Sequence, residues 1–146
     1  MAIEVINRQR LVAVDSDDLA RVASEVIREI GKARKLRSSP SIAIAIVRSK
    51  QMRRLNHLYR RKDTDTDVLS FPSDLDYEPA SDSYLGDVII CADVALRQSG
   101  ESGLSIDREL AELVIHGVLH LAGYDHEIDD GEMDRFELKL RRRLLG

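Results

Sequence analysis

Three of the four histidines in this 146-residue chain, His116, His120 and His126, fall within eleven residues. His116 and His120 are four apart, and apolar residues from Leu110 to Leu121 surround them. A helix would hold both imidazoles on one face, one turn apart. The helix predicted there starts at Ser105 or Asp107, runs to about Leu121 and stops at Gly123. It is apolar nearly all round, which implies burial. The exception is a stripe of Glu109, Glu112, His116 and His120, and polar groups on a buried helix must meet partners or line a cavity. Gly123 can take the left-handed conformation that ends a helix and reverses the chain, which lets His126 fold back toward the pair. Three neutral imidazoles with an open fourth position describe a catalytic zinc site, so these residues are the expected ligands of one zinc ion per chain. A single buried histidine more often bonds a backbone carbonyl. Three at this spacing, with the turn glycine in place, form the stronger pattern.

The spacing is that of the long zincin motif, H-E-x-x-H-x-x-G-x-x-H. One position departs from it. Where the zincins carry their general-base Glu, directly after the first His, this chain has Gly117. A peptidase of that plan would lack its base. A base would have to come from elsewhere, and Asp125, Asp87 and, more weakly, Glu112 are the candidates. A glutamate at 117 is expected to aim at the metal. The fourth histidine, His57, sits among Arg53, Arg54 and Arg60 and is expected at the surface.

The elements that must position these residues can be read from periodicity. Ile3 to Ile6 is a short strand. Asp15, Ser16 and Asp17 are N-cap candidates for a helix with Leu19, Val22, Ala23, Val26, Ile27 and Ile30 on one face. Gly31 and the cations Lys32, Arg34, Lys35 and Arg37 are expected to close it. Ile42, Ile44 and Ile46 alternate with Ala43, Ala45 and Val47, which reads as a strand buried on both faces. Ser49 is the expected cap of a second helix carrying Met52, Leu55 and Tyr59. Val68 to Phe71 is a strand stopped by Pro72, which suits a sheet edge. Ser73 to Ser83 reads as an acidic mobile loop, Leu85 to Cys91 as a strand, and Ala92 to Gln98 as a short helix ended by Gly100 and Gly103. Asp129 or Asp130 would start a last helix with Met133, Phe136, Leu140 and Leu144 inward, its negative end complemented by Arg141, Arg142 and Arg143. The order βαβαββααα predicts one α/β (α+β) domain over residues 1–146, a small mixed four-stranded sheet packed with about five helices.

Composition excludes other classes. The chain is 43% apolar and has one cysteine, Cys91, so neither disorder nor a disulfide scaffold fits, and an unpaired thiol suits a reducing cytoplasm. No run approaches a membrane span, and residues 1–10 lack a signal peptide's apolar middle. A net charge of −4 argues against coating nucleic acid by bulk charge. The charge is unevenly placed, however. Residues 48–62 carry seven Lys and Arg, and residues 63–87 carry eight acids and no base. Beside a metal cleft, a basic helix is suited to phosphate contact.

The segment His116-Gly117-Val118-Leu119-His120-Leu121-Ala122-Gly123-Tyr124-Asp125-His126 resembles the signature H-G-x-L-H-L-x-G-Y-D-H of the YbeY family, bacterial metal-dependent endoribonucleases. Leu55-Asn56 with Tyr59-Arg60, Thr66 to Pro72, Leu85 to Val88 and Asp130 to Glu137 resemble the family's other landmarks in order, so the resemblance covers nearly the whole chain. It implies that the three signature histidines bind one zinc and that Arg60 is a catalytic residue facing the metal. It implies single-strand-specific cleavage of RNA at the 3′ end of 16S ribosomal RNA, and a role in ribosome quality control. The implied partner is single-stranded RNA of the small ribosomal subunit, neither DNA nor a membrane. It also implies an antiparallel edge strand, Val68 to Phe71, beside the metal. Two other readings of the residues stay open: a zincin-like metallopeptidase, and a non-catalytic ribosome-associated zinc protein.

Overall fold

The computed structural model describes residues 2–34, 40–73 and 84–146. Their elements run β1 (Ala2–Asn7), α1 (Ser16–Ala33), β2 (Ser41–Val47), α2 (Ser49–Arg60), β3 (Val68–Pro72), β4 (Tyr84–Cys91), α3 (Ala92–Ser102), α4 (Ile106–Leu121) and α5 (Glu132–Leu145). The strands form one mixed sheet in the order β1-β2-β4-β3. β1, β2 and β4 are parallel, while β3 is antiparallel to β4. Ending in proline, β3 takes the edge, where a missing N–H breaks no ladder. The α/β class, the mixed sheet and the five helices agree with the sequence reading.

Side-chain period sorts the two faces of the sheet. Ile42, Ile44 and Ile46 of β2 and Val88 and Ile90 of β4 join the main core with α1 and α4. The helices supply Leu19, Val22, Val26, Ile27 and Ile30 from α1 and Leu110, Val114, Val118 and Leu121 from α4, each buried. Each large aliphatic side chain buried here contributes roughly 1.5–3 kcal/mol. On the opposite face α2 covers a smaller cluster of Val47, Met52, Leu69, Cys91 and Val94. Ala43 and Ala45 on that face are only half-buried, so β2 is not buried on both faces as its composition suggested.

Several boundaries differ from expectation, each for a local reason. Asp15 does cap α1, accepting the Asp18 N–H at 3.0 Å. The helix nevertheless continues through Gly31 to Ala33, because Gly31 keeps a right-handed backbone. Lys35, Arg37 and residues 74–83 of the predicted acidic loop lie outside the described residues. Ser49 does not cap α2. Arg48 holds that position without a side-chain capping bond, and the Ser49 N–H donates instead to Asp93 at 2.9 Å. Tyr59 is 62% exposed, and the residue buried in its place is Asn56, whose amide donates to the Thr64 carbonyl. α3 runs through Gly100 and ends at Gly103. α5 begins at Glu132 after Gly131, later than expected, with the Asp129 carboxylate accepting the N–H groups of Gly131 and Met133. No helix among the described residues is long and apolar enough to cross a membrane.

Candidate metal centre

α4 is the element that carries the site. Ser105 caps it, accepting the Arg108 N–H at 3.1 Å, which fixes the register of the helix from its first turn. Eleven residues on, His116 and His120 face the same way, their ring centroids 4.7 Å apart. The helix ends at Leu121, and Gly123 adopts a φ of 92°, its N–H donating to the His120 carbonyl. The Tyr124 N–H bonds back to Leu119, and Tyr124 itself is buried. This reversal brings His126 to 5.8 Å from the His116 ring and 5.6 Å from the His120 ring. One nitrogen from each ring lies within 4.8 Å of the others.

The donor set fits a zinc ion. The Nε2 atoms of His116 and His120 are 3.2 Å apart. Two ligands at about 2.0–2.1 Å in tetrahedral geometry stand about 3.3–3.4 Å apart. On its other side, His116 Nδ1 lies 2.8 Å from the Glu137 carboxylate. A carboxylate only accepts, so Nδ1 carries the proton and Nε2 presents its lone pair toward the cluster. Burial, reinforced by the neighbouring His116 and His126, lowers the His120 pKa and so favours the neutral imidazole that a metal needs. His126, on irregular chain, is the exposed member of the three.

Behind His116 lies a polar chain that sequence reasoning missed. Glu137, buried in α5, also bonds Arg141, which pairs with Glu112 at 3.1 Å. Glu112 in turn accepts from Arg108 at 2.9 Å. Burial alone would raise the Glu137 carboxyl. The hydrogen bond from His116, with the charge and hydrogen bond of Arg141, opposes it and holds the group below the usual carboxylate range. The available signal was an acid at an inward position, four residues after Met133 and three before Leu140. Arg141 therefore serves these carboxylates rather than simply complementing the end of α5. Arg143 likewise pairs with Glu29 of α1 at 3.3 Å.

The remaining predicted residues separate by position. A cleft of about 510 Å³ is lined by the three histidines, Asp125, Arg60 and the run from Thr66 to Ser70 that leads into β3. The structure thus brings Arg60, the last residue of α2, to the same cleft as the histidines. Asp87 is not there. It borders a concavity on the opposite face of the sheet with Ala43, Ala45 and Ile89, and it accepts the Tyr84 hydroxyl. Glu112 is held by its two arginines. Gly117 does not face the histidine cluster: a Cβ there would stand 2.6 Å from Val88 Cγ1. Its missing side chain lets α4 lie against β4, and the Ser70 hydroxyl donates to its carbonyl at 3.0 Å. Arg48 is committed to a two-pronged pair with Asp93 and leaves the basic run. Lys50, Arg53, Arg54 and the exposed His57 line a separate concavity of about 370 Å³.

Two imidazoles on a helix, a glycine turn and a third imidazole sharing a cleft with an arginine make this α/β domain a candidate metal-binding domain. A family model described as endoribonuclease YbeY matches residues 4–144, and the chain belongs to that family. The endoribonuclease YbeY of Koribacter versatilis is 47% identical over 103 residues, 70% of this chain and 64% of that protein, so the match spans just under two thirds of its length. That of Vesicomyosocius okutanii is 38% identical over 135 residues, 92% of this chain and 88% of that protein. A solution structure of a Thermotoga maritima protein superposes with a TM-score of 0.62 at 28% identity, covering 99% of this chain and 89% of the other.

Proposed function

We propose that residues 1–146 work as one zinc-dependent endoribonuclease domain that cuts single-stranded RNA, acting in the cytoplasm on the 3′ end of 16S ribosomal RNA and in ribosome quality control. The observation that carries the reading is the shared cleft, where Arg60 stands with His116, His120 and His126. The family supports hydrolysis of RNA, and the donor set supports zinc, with one ion per chain held by the three histidines.

Bound there, zinc supplies Lewis acidity toward a phosphoryl oxygen and toward water. The chain's own residues supply the rest. Arg60 offers a planar fork of donors to the scissile phosphate and opposes its growing negative charge. Glu137 holds His116 in one tautomer. Asp125, the one base candidate that lines the cleft, is placed to take a proton. A peptidase reading gains nothing from position 117, since that residue lies against Val88.

The test is zinc-dependent cleavage of a single-stranded fragment from the 16S 3′ end, with Arg60→Ala alongside. Loss of one such electrostatic contact lowers kcat by about 10²–10³, and zinc content should stay at wild type because Arg is no ligand. Cleavage of casein with the RNA left intact would revive the peptidase. An Arg60→Ala protein that loses only RNA affinity would remove Arg60 from the chemistry.

A further inference from the structure

Arg34, where α1 ends, reaches into the turn that follows α4. Its Nη1 donates to the Ala122 carbonyl at 3.3 Å, and its Nη2 donates to Glu132, the first residue of α5, at 3.1 Å. The guanidinium carbon lies 3.7 Å from the centre of the Tyr124 ring. That ring packs against Phe136 of α5, centroids 5.4 Å apart. One side chain therefore ties α1, the turn and α5 together.

The turn has need of such a tie. His116 and His120 are held by α4, and His116 also by Glu137. His126 has neither support: it stands between the end of α4 at Leu121 and the start of α5 at Glu132, on chain without regular structure, and it is exposed. Its position beside the other two rings rests on the turn that Asp125 closes by accepting the N–H groups of Glu127, Ile128 and Asp129, and that turn is anchored to the fold through residues 122 to 124, the segment that Arg34 grips from outside. We propose that Arg34 is a positioning residue for His126, fixing the turn so that the third imidazole meets the other two. The proposal rests on the metal reading of the histidine cluster. It also explains the residue type. Two acceptors on different elements and a flat aromatic face suit a planar guanidinium, and an ammonium cannot serve all three at once.

The test uses the whole chain and begins without metal, recording long-range ¹H–¹⁵N spectra of the imidazoles. Arg34→Ala should shift or broaden the His126 signals and leave those of His116 and His120 in place. Zn²⁺ titration against a chelator should then show affinity lowered about tenfold to a hundredfold, the range for a lost partner of a ligand. Arg34→Lys should recover only part of it. In a His126→Ala background, Arg34→Ala should add no further loss, because the two act as one unit. Unchanged His126 signals and affinity in Arg34→Ala would overturn the proposal. So would an equal loss in the His126→Ala background, which would make Arg34 a general support of the fold. If the alanine variant does not fold, the lysine variant decides: wild-type spectra and affinity there overturn the need for the guanidinium. Failure of the wild-type chain to bind Zn²⁺ would refute the metal reading, while the metal-free His126 spectrum would still decide the role of Arg34.

Discussion

The carboxylate of Glu137 spends its two oxygens on different tasks, one on His116 and one on Arg141. Replacing it by Gln keeps the shape but halves the acceptor capacity and removes the charge. Glu137→Gln should weaken zinc binding by about tenfold to a hundredfold, read by chelator competition, with His116 freed to change tautomer. His120 gives a second expectation. Its pKa is lowered in the folded chain, first by burial and then by the neighbouring histidines. Above an unfolded value of about 6.5 it is neutral in both states and contributes no pH dependence. Below that, the unfolded chain takes up a proton that the native state resists, so stability falls as pH falls. Urea midpoints of the metal-free protein between pH 7.5 and 5.5 should show this decline, and His120→Gln should flatten it. Both effects turn on single side chains. The role of His120 shows in sequence as a ligand spacing, whereas Glu137 shows only as an acid at an inward position, its partner on another helix unspecified.

At the scale of elements, the contact between α4 and β4 decides whether the site has a floor. Gly117→Ala places a methyl 2.6 Å from Val88 Cγ1 and 3.3 Å from the Ser70 hydroxyl. Overpacking of this kind costs about 1–3 kcal/mol. Thermal unfolding should show it, and Val88→Ala should relieve it in the double variant. Such tertiary pressure also marks where sequence reading stops. The α1 stripe, the proline-ended edge strand and the glycine turn were legible because each is a local pattern of period, missing N–H or positive φ. The start of α2 was not, because Asp93 reaches back across 44 residues to the first N–H of the helix. Asp87 as a base failed for a similar reason. Strand alternation fixes which face a residue takes only relative to its neighbours, and the sheet order was needed to show that the site lies on the other side. Glu137 and Arg141 broke an inward apolar pattern on α5, and that break was the visible trace of the chain behind His116.

For the whole molecule, charge is organised where net charge is not. Arg48 is consumed by Asp93, and Arg53 meets Asp63 at 3.5 Å, which among the described residues leaves Lys50 and Arg54 as the less committed cations along α2 besides Arg60 in the cleft. Under the proposed function, Arg54→Ala should weaken RNA binding evenly across sequences, with kcat preserved. The salt slope of log K should fall by roughly 0.7, the value for one phosphate on a single strand. Equal slopes in wild type and variant would remove α2 from the RNA path. The order of the parts along the chain has its own consequence. Arg60 and the basic helix are encoded before residue 63, whereas His116, His120, His126, Glu137 and Arg141 all follow residue 115. Translation delivers them in that order, at about 5–20 residues per second. A nascent or stalled chain that stops short of His126 therefore holds the basic helix without the complete histidine cluster. Under the proposed function, RNA cleavage would wait until the last of these residues is made.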